Sequence, residues 1–232
     1  MTIVRSVTRR RSVDWAEFWQ NQTSALHQAT SEQLVRYSRE LALLFAELSP
    51  RSVLDLGCGD GELYDSLGFD RVSYRGVDMS QSMLDVFQRE HPGTELICRN
   101  ALDYLDDSTY DLVFSNAMVQ FLNREQMRHF FENVKRMMHA DSVFVCASIP
   151  CSLNRYAYIS RQLVQPYRKN RKMVLATAAR RALGLGDTMG CWYSPAEIKE
   201  MAVETGFVCN LYGSMHNMFR FHAVLELPRE RR

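Results

Sequence analysis

The run Val53-Leu54-Asp55-Leu56-Gly57-Cys58-Gly59-Asp60-Gly61 carries glycine at three alternate positions directly after an apolar stretch. Glycine tolerates positive φ and lets a ligand lie against bare backbone. The pattern predicts a strand, a tight turn and then a helix whose first amides are unpaired and suit a carboxylate. A P-loop would need a Gly-Lys-Ser or Gly-Lys-Thr ending, which the run lacks. A dinucleotide fingerprint would place its third glycine one residue later, where Glu62 stands, and Asp60 with Glu62 would repel a pyrophosphate. Asp55, just before the turn, suits an ammonium group. A zwitterionic amino acid joined to a nucleoside satisfies all three features.

A second signal, Gly76-Val77-Asp78-Met79-Ser80, closes the next apolar stretch. An aspartate there can accept from both ribose hydroxyls, because a carboxylate has two acceptor oxygens. The bland alternative is a solvated residue at a strand end. Further on stand Asn100-Ala101 and Tyr110-Asp111-Leu112-Val113-Phe114-Ser115-Asn116-Ala117, followed by Gln120.

On these stretches, from roughly Pro50 to Ile149, the chain resembles the class I S-adenosylmethionine-dependent methyltransferases. The resemblance implies a cofactor site made of Asp55, Gly57, Cys58, Gly59, Asp78, Met79, Asn100, Ala101, Ser115 and Asn116, with S-adenosyl-L-methionine as cofactor. Asn100 stands where many relatives have aspartate and keeps an acceptor oxygen. Ser115-Asn116 followed by Gln120 is similar to a run in small-molecule members such as the trans-aconitate and malonyl-carrier methyltransferases, which puts Gln120 on the acceptor side. The family fold is α/β: a Rossmann-like, seven-stranded, mostly parallel sheet with helices on both faces and the last strand antiparallel.

The elements that must position these residues are legible in outline. Thr30 and Gln33 make a capping-box pattern before Leu34, Tyr37, Leu41, Leu44, Phe45 and Leu48 at helical spacing, and Trp15, Phe18, Trp19 and Leu26 suggest a shorter helix upstream. Strands are expected at residues 52–56, 72–77, 95–98, 111–115 and 142–149. Ser80 caps a helix through Glu90, and Asn123 with Gln126 caps another that shows Met127, Phe130, Phe131, Val134 and Met137 on one face. Ser194-Pro195-Ala196-Glu197 opens a later helix that Gly206 ends, and strands at residues 207–212 and 219–227 follow. Strands separated by helix-length segments imply a parallel sheet. The organisation expected is one domain: a helical cap over residues 1–49, a cofactor core over 50–149, a helical insertion after the fifth strand over 150–193, and a final helix and two strands over 194–232.

The insertion is the region that speaks to the acceptor. It carries Arg155, Arg161, Arg168, Lys169, Arg171, Lys172, Arg180 and Arg181, interleaved with Tyr156, Tyr158 and Tyr167. In open α/β sheets the segment after a strand's carboxyl end faces the ligand. Gln120, Tyr156, Tyr158, Arg168 and Arg171 are therefore candidate acceptor-binding residues for a small anionic molecule. A solvated helix face and adsorption to an anionic membrane are the rival readings. His216, between the last two strands, is the candidate catalytic base for a hydroxyl acceptor, whereas a carboxylate would need none. His222 reads as structural.

Composition sets the remaining bounds. The chain has 232 residues, 46% of them hydrophobic and 24% charged, with a net charge of +1, which favours no nucleic-acid partner. Six cysteines form no C-x-x-C pair and no zinc spacing, so no metal is expected, and free thiols suit a cytoplasmic location. No apolar run is long enough to span a membrane. The reading is an enzyme that O-methylates a small anionic metabolite or sugar derivative. A methyltransferase acting on tRNA or protein, and a non-catalytic cofactor-binding subunit of the same fold, remain alternatives.

Overall fold

The computed structural model describes residues 31–158 and 190–229. The expected helix around Trp15–Leu26, the Thr30 cap, Arg168, Arg171 and most of the basic insertion lie outside them.

A helix, α1 (Ser31–Leu43), leads into β1 (Ser52–Leu56). Then come β2 (Ser73–Asp78), α2 (Gln81–Glu90), β3 (Glu95–Cys98), β4 (Tyr110–Asn116), α3 (Arg124–Arg136) and β5 (Met138–Pro150). After the insertion follow α4 (Pro195–Glu204), β6 (Val208–Gly213) and β7 (Arg220–Glu226). All seven strands form one sheet in the order β3-β2-β1-β4-β5-β7-β6. Neighbours from β3 to β5 pair in parallel, while β7 runs antiparallel to both β5 and β6. β6 therefore points the same way as β5, and the loop after it lies at the carboxyl edge of the parallel strands.

The local signals are realised as hydrogen bonds. Ser80 accepts from the Met83 amide at the start of α2. Asn123 with Gln126, and Ser194 with Glu197, form complete capping boxes, and Pro195 occupies the first turn of α4. Each box satisfies two otherwise orphaned amides. Gly206, at φ 85, stops the chain after α4 in the left-handed conformation that favours glycine.

Alternation along the strands sends side chains to two cores. Leu54, Leu56, Val113 and Phe144 face α3 and α4, where Phe130, Phe131, Ile198 and Met201 are buried. Val53, Leu112, Phe114 and Val145 face the other way, against Leu41 of α1 and Phe87 of α2. Helices thus cover both faces of the sheet, each buried aromatic contributing about 2 kcal/mol over an exposed one.

One expectation fails. No α-helix follows the glycine turn: residues 62–68 form hydrogen-bonded turns, and only a short 3₁₀ segment, Phe69–Arg71, comes next. Gly68 takes φ 74, which ends the segment before a second helical turn can form. So few residues cannot offset the cost of helix nucleation. Elsewhere the strand limits shift; β5 begins at Met138 instead of residue 142, with a register shift in its pairing to β4.

α1 is held at its far end by charge. Glu40 is 7% exposed, and its carboxylate accepts from the Met215 and His216 amides at 3.1 and 2.6 Å. The same group meets His222 Nε2 at 2.8 Å. These bonds hold the Glu40 carboxyl below its usual pKa despite burial. Its contribution to stability is therefore present above the ordinary glutamate value and is lost as pH falls below it. Glu40→Ala leaves a buried imidazole and two amides without their acceptor, so denaturant unfolding should register a loss of about 3 kcal/mol.

Candidate active site

The strand order reverses between β1 and β4, and open α/β sheets bind ligands at the carboxyl ends flanking such a point. The turn after β1 bends over the end of β2: the Gly57 and Cys58 amides both donate to Val77 O, at 2.7 and 3.2 Å. The Asp78 carboxylate then clasps the turn. Its Oδ2 accepts from the Gly59 amide at 3.0 Å and its Oδ1 from the Ser80 amide at 2.9 Å. Burial raises the Asp78 pKa, and the amides of Ser80, Gly59 and Met79 hold it back. Gly57 and Gly59 take φ 85 and 59, and a Cβ on either would stand 2.9 Å from Met118 or 3.0 Å from Met83. Conformation favours glycine at both positions, and at Gly57 space does as well.

Asp55 lies beneath this turn, 6% exposed, its Oδ2 accepting from the Tyr74 hydroxyl at 3.0 Å. Burial, with Asp78 nearby, pushes its carboxyl up to about 7. Cys58 is packed against Gly76, and burial beside Asp55 and Asp78 raises its thiol well above the usual range, so it is no nucleophile. The Met79 carbonyl accepts from the Cys98 thiol at 3.6 Å. Asn100 is exposed and its Oδ1 accepts from the Leu102 amide at 3.0 Å, while Ala101 is buried beside it. Ser115 is turned inward: its buried hydroxyl donates to Leu56 O at 2.8 Å, stapling β4 to β1. Asn116 Oδ1 accepts from the Tyr37 hydroxyl at 2.5 Å.

The ends of β4 and β5 hold two non-glycine residues at positive φ, Ala117 at 55° and Ser148 at 60°. Each costs about 1–2 kcal/mol and needs support from its surroundings. Gln120 Nε2 donates to Ala117 O at 2.8 Å. Ser148 sits at a bulge in the β5–β7 ladder, where its amide donates to His222 Nδ1 at 3.1 Å and its carbonyl accepts from Arg220 at 2.5 Å. Arg220 also donates to Gln120 Oε1 at 3.0 Å. With Nδ1 accepting, His222 carries its proton on Nε2 towards Glu40, and burial lowers its pKa. Burial likewise pushes the Tyr37 phenol up to about 12, leaving it a hydrogen-bond donor.

His216 is exposed, and its ring lies 4.9 Å from that of Tyr37, one side chain away from Asn116. Tyr158 packs between Trp192 and Phe219, at 5.6 and 5.1 Å, whereas Tyr156 points to solvent, 83% exposed. Sequence reasoning missed Tyr37, Glu40 and Arg220. Tyr37 was legible only as one apolar position of α1, and Glu40 and Arg220 carried the ordinary look of surface charges. Among the described residues, no group of three or more His, Cys, Asp or Glu is placed to hold a metal.

Known proteins share part of this chain. Residues 53–141 match the family model described as a methyltransferase domain. Over that segment the chain is similar to methyltransferase domains. The methyltransferase segment is 30% identical, over 100 residues, to a trans-aconitate 2-methyltransferase from Acidovorax ebreus, covering 42% of this chain and 39% of that protein. The chain is 31% identical over 88 residues to a malonyl-[acyl-carrier protein] O-methyltransferase from Halalkalibacterium halodurans, covering 34% of this chain and 32% of that one. The chain thus spans about two fifths or less of the length of these methyltransferase relatives. An S-adenosylmethionine-dependent methyltransferase structure from Clostridium acetobutylicum shares the fold at TM-score 0.63 and 13% identity, covering 86% of this chain and 93% of that one.

The cofactor of this methyltransferase family is S-adenosylmethionine, and the residues present fit it. The two glycines leave backbone bare where a Cβ would collide, and Asp78 keeps acceptor capacity beyond its amide partners, a carboxylate having about four lone-pair sites. A cationic ligand beside Asp55 favours its ionised form, so binding releases a proton. The sign follows: cofactor affinity measured by calorimetry should fall about tenfold from about pH 8 to about pH 6, and Asp55→Asn should flatten that dependence.

Proposed function

We propose that the protein transfers a methyl group from S-adenosylmethionine to an oxygen of a small anionic acceptor. The observation that carries this reading is the clasp of Asp78 on Gly59, which joins the glycine turn and the end of β2 into one site. Asp78 receives the ribose hydroxyls, Asp55 faces the ammonium, and Asn100 with Ala101 borders the adenine. The backbone of Ser115, Asn116 and Ala117 lines the reacting end. When bound, the cofactor supplies a methyl group already activated on a sulfonium. The chain's own task is then to align the acceptor and exclude water.

The names of the two relatives support the acceptor class, since each acts on a molecule that carries carboxylates. Arg168 and Arg171, within the basic segment, supply the charge, and Gln120, Tyr156 and Tyr158 complete the acceptor side. The malonyl-[acyl-carrier protein] relative favours, as a second reading, an acceptor presented on a carrier protein. His216 is the proton acceptor in the case of a hydroxyl; an ionised carboxylate needs none.

Asp78→Ala should lower S-adenosylmethionine affinity at least about tenfold with the fold intact, since charge-assisted hydrogen bonds are worth roughly 1.5–3 kcal/mol each. Unchanged affinity in calorimetry would remove the ribose assignment. The acceptor chemistry is read from His216→Ala. With a hydroxyl acceptor kcat should drop at least about a hundredfold; with a carboxylate acceptor it should persist.

A further inference from the structure

A groove of about 450 Å³ opens where β5 and β6 end and β7 begins. Leu211, Met218 and Phe221 supply apolar wall, and Arg220 lines it as well. The groove is built on a fixed frame. The Cys151 amide donates to Phe219 O at 2.8 Å, and Asn154 Nδ2 donates to Met218 O at 2.8 Å. Around the same edge Leu153, Met215 and Met218 stand 73%, 79% and 64% exposed. Clustered apolar exposure of this kind marks a ligand or partner surface more often than an isolated exposed side chain does.

Arg220 differs from the ion-paired arginines of the sheet and helices. Arg75 meets Glu95 and Asp106, Arg124 meets Glu197, and Arg128 meets Glu204. The Arg220 guanidinium donates only to neutral acceptors, Ser148 O and Gln120 Oε1, and among the described residues no carboxylate lies within ion-pair distance. Burial penalises its charge, yet a guanidinium stays protonated. A half-buried guanidinium facing only neutral acceptors gains a charge-assisted partner when an anion joins it. Beside it Tyr158 packs on Phe219 and on Trp192, whose indole N–H is buried without an acceptor among the described residues.

We propose that Arg220 receives a carboxylate of the methyl acceptor, and that the acceptor is a carboxylic acid whose apolar body lies along Leu211, Met218 and Phe221. The proposal rests on the methyltransferase reading for the word acceptor, but its test does not depend on turnover. Arg220 offers a fork of donors matched to carboxylate geometry, and two of its N–H groups are already fixed by Ser148 and Gln120.

The test is calorimetric binding of octanoate, octanamide and acetate to the full chain. Octanoate should bind at least about tenfold more tightly than octanamide, its neutral isostere, because the charge-assisted bonds are lost in the amide. It should also outbind acetate at least about tenfold, since acetate lacks the chain that the groove would bury. Arg220→Gln should level octanoate with octanamide, and Arg220→Lys should restore part of the difference. Equal binding of octanoate and octanamide to the wild type, an octanoate preference that survives Arg220→Gln, or no binding of either at millimolar concentration would overturn the proposal. The wild-type comparison stands even where a variant misfolds. Loss of S-adenosylmethionine binding with the octanoate preference intact would instead count against the methyltransferase reading alone.

Discussion

The cofactor half of this protein depends on one charge-assisted hydrogen bond, from the Gly59 amide to the Asp78 carboxylate. A turn containing three glycines has little intrinsic preference for one shape and loses much entropy when fixed. Its position comes from outside: Val77 O takes two of its amides and Asp78 takes a third. The result is a backbone turn held in one shape by bonds from the end of β2. Asp55 below adds a second buried carboxylate, raised towards neutrality and therefore sensitive to any positive charge placed above it.

The ends of β4 and β5 solve a different problem. Ala117 and Ser148 are held in an unfavourable conformation, and their carbonyls are tied back by Gln120 and Arg220. Arg220 thus has a structural duty and a spare charge at once. Gln120 links the two, since its amide nitrogen serves Ala117 and its oxygen serves Arg220. A change at Gln120 would therefore disturb the end of β4 and the guanidinium together.

What the sequence disclosed follows the range of the interaction. Capping residues Ser80, Asn123 and Ser194 act on amides three residues away, so their patterns were readable in place. The glycine turn was readable because few other residues tolerate its dihedrals. The helix expected beyond it failed because Gly68, also at positive φ, leaves too short a run, which a motif reading does not weigh. The Ser115 hydroxyl is spent on Leu56 O, a bond no local pattern announces, since the face a strand residue takes depends on its neighbours. Glu40 and Arg220 gave no signal. Each is a charged residue at an unremarkable position, and burial comes only from segments far away in the chain.

That distance separates the two halves in the order of synthesis. Asp78 and Gly59 are 19 residues apart, so the cofactor cradle closes a short loop and can form once β2 has left the ribosome. Glu40 instead meets His222, 182 residues later, so that contact closes only when the last strand is made. The last strand is thus a latch: it brings the imidazole that Glu40 meets, and a fragment ending before β7 would leave that carboxylate without His222.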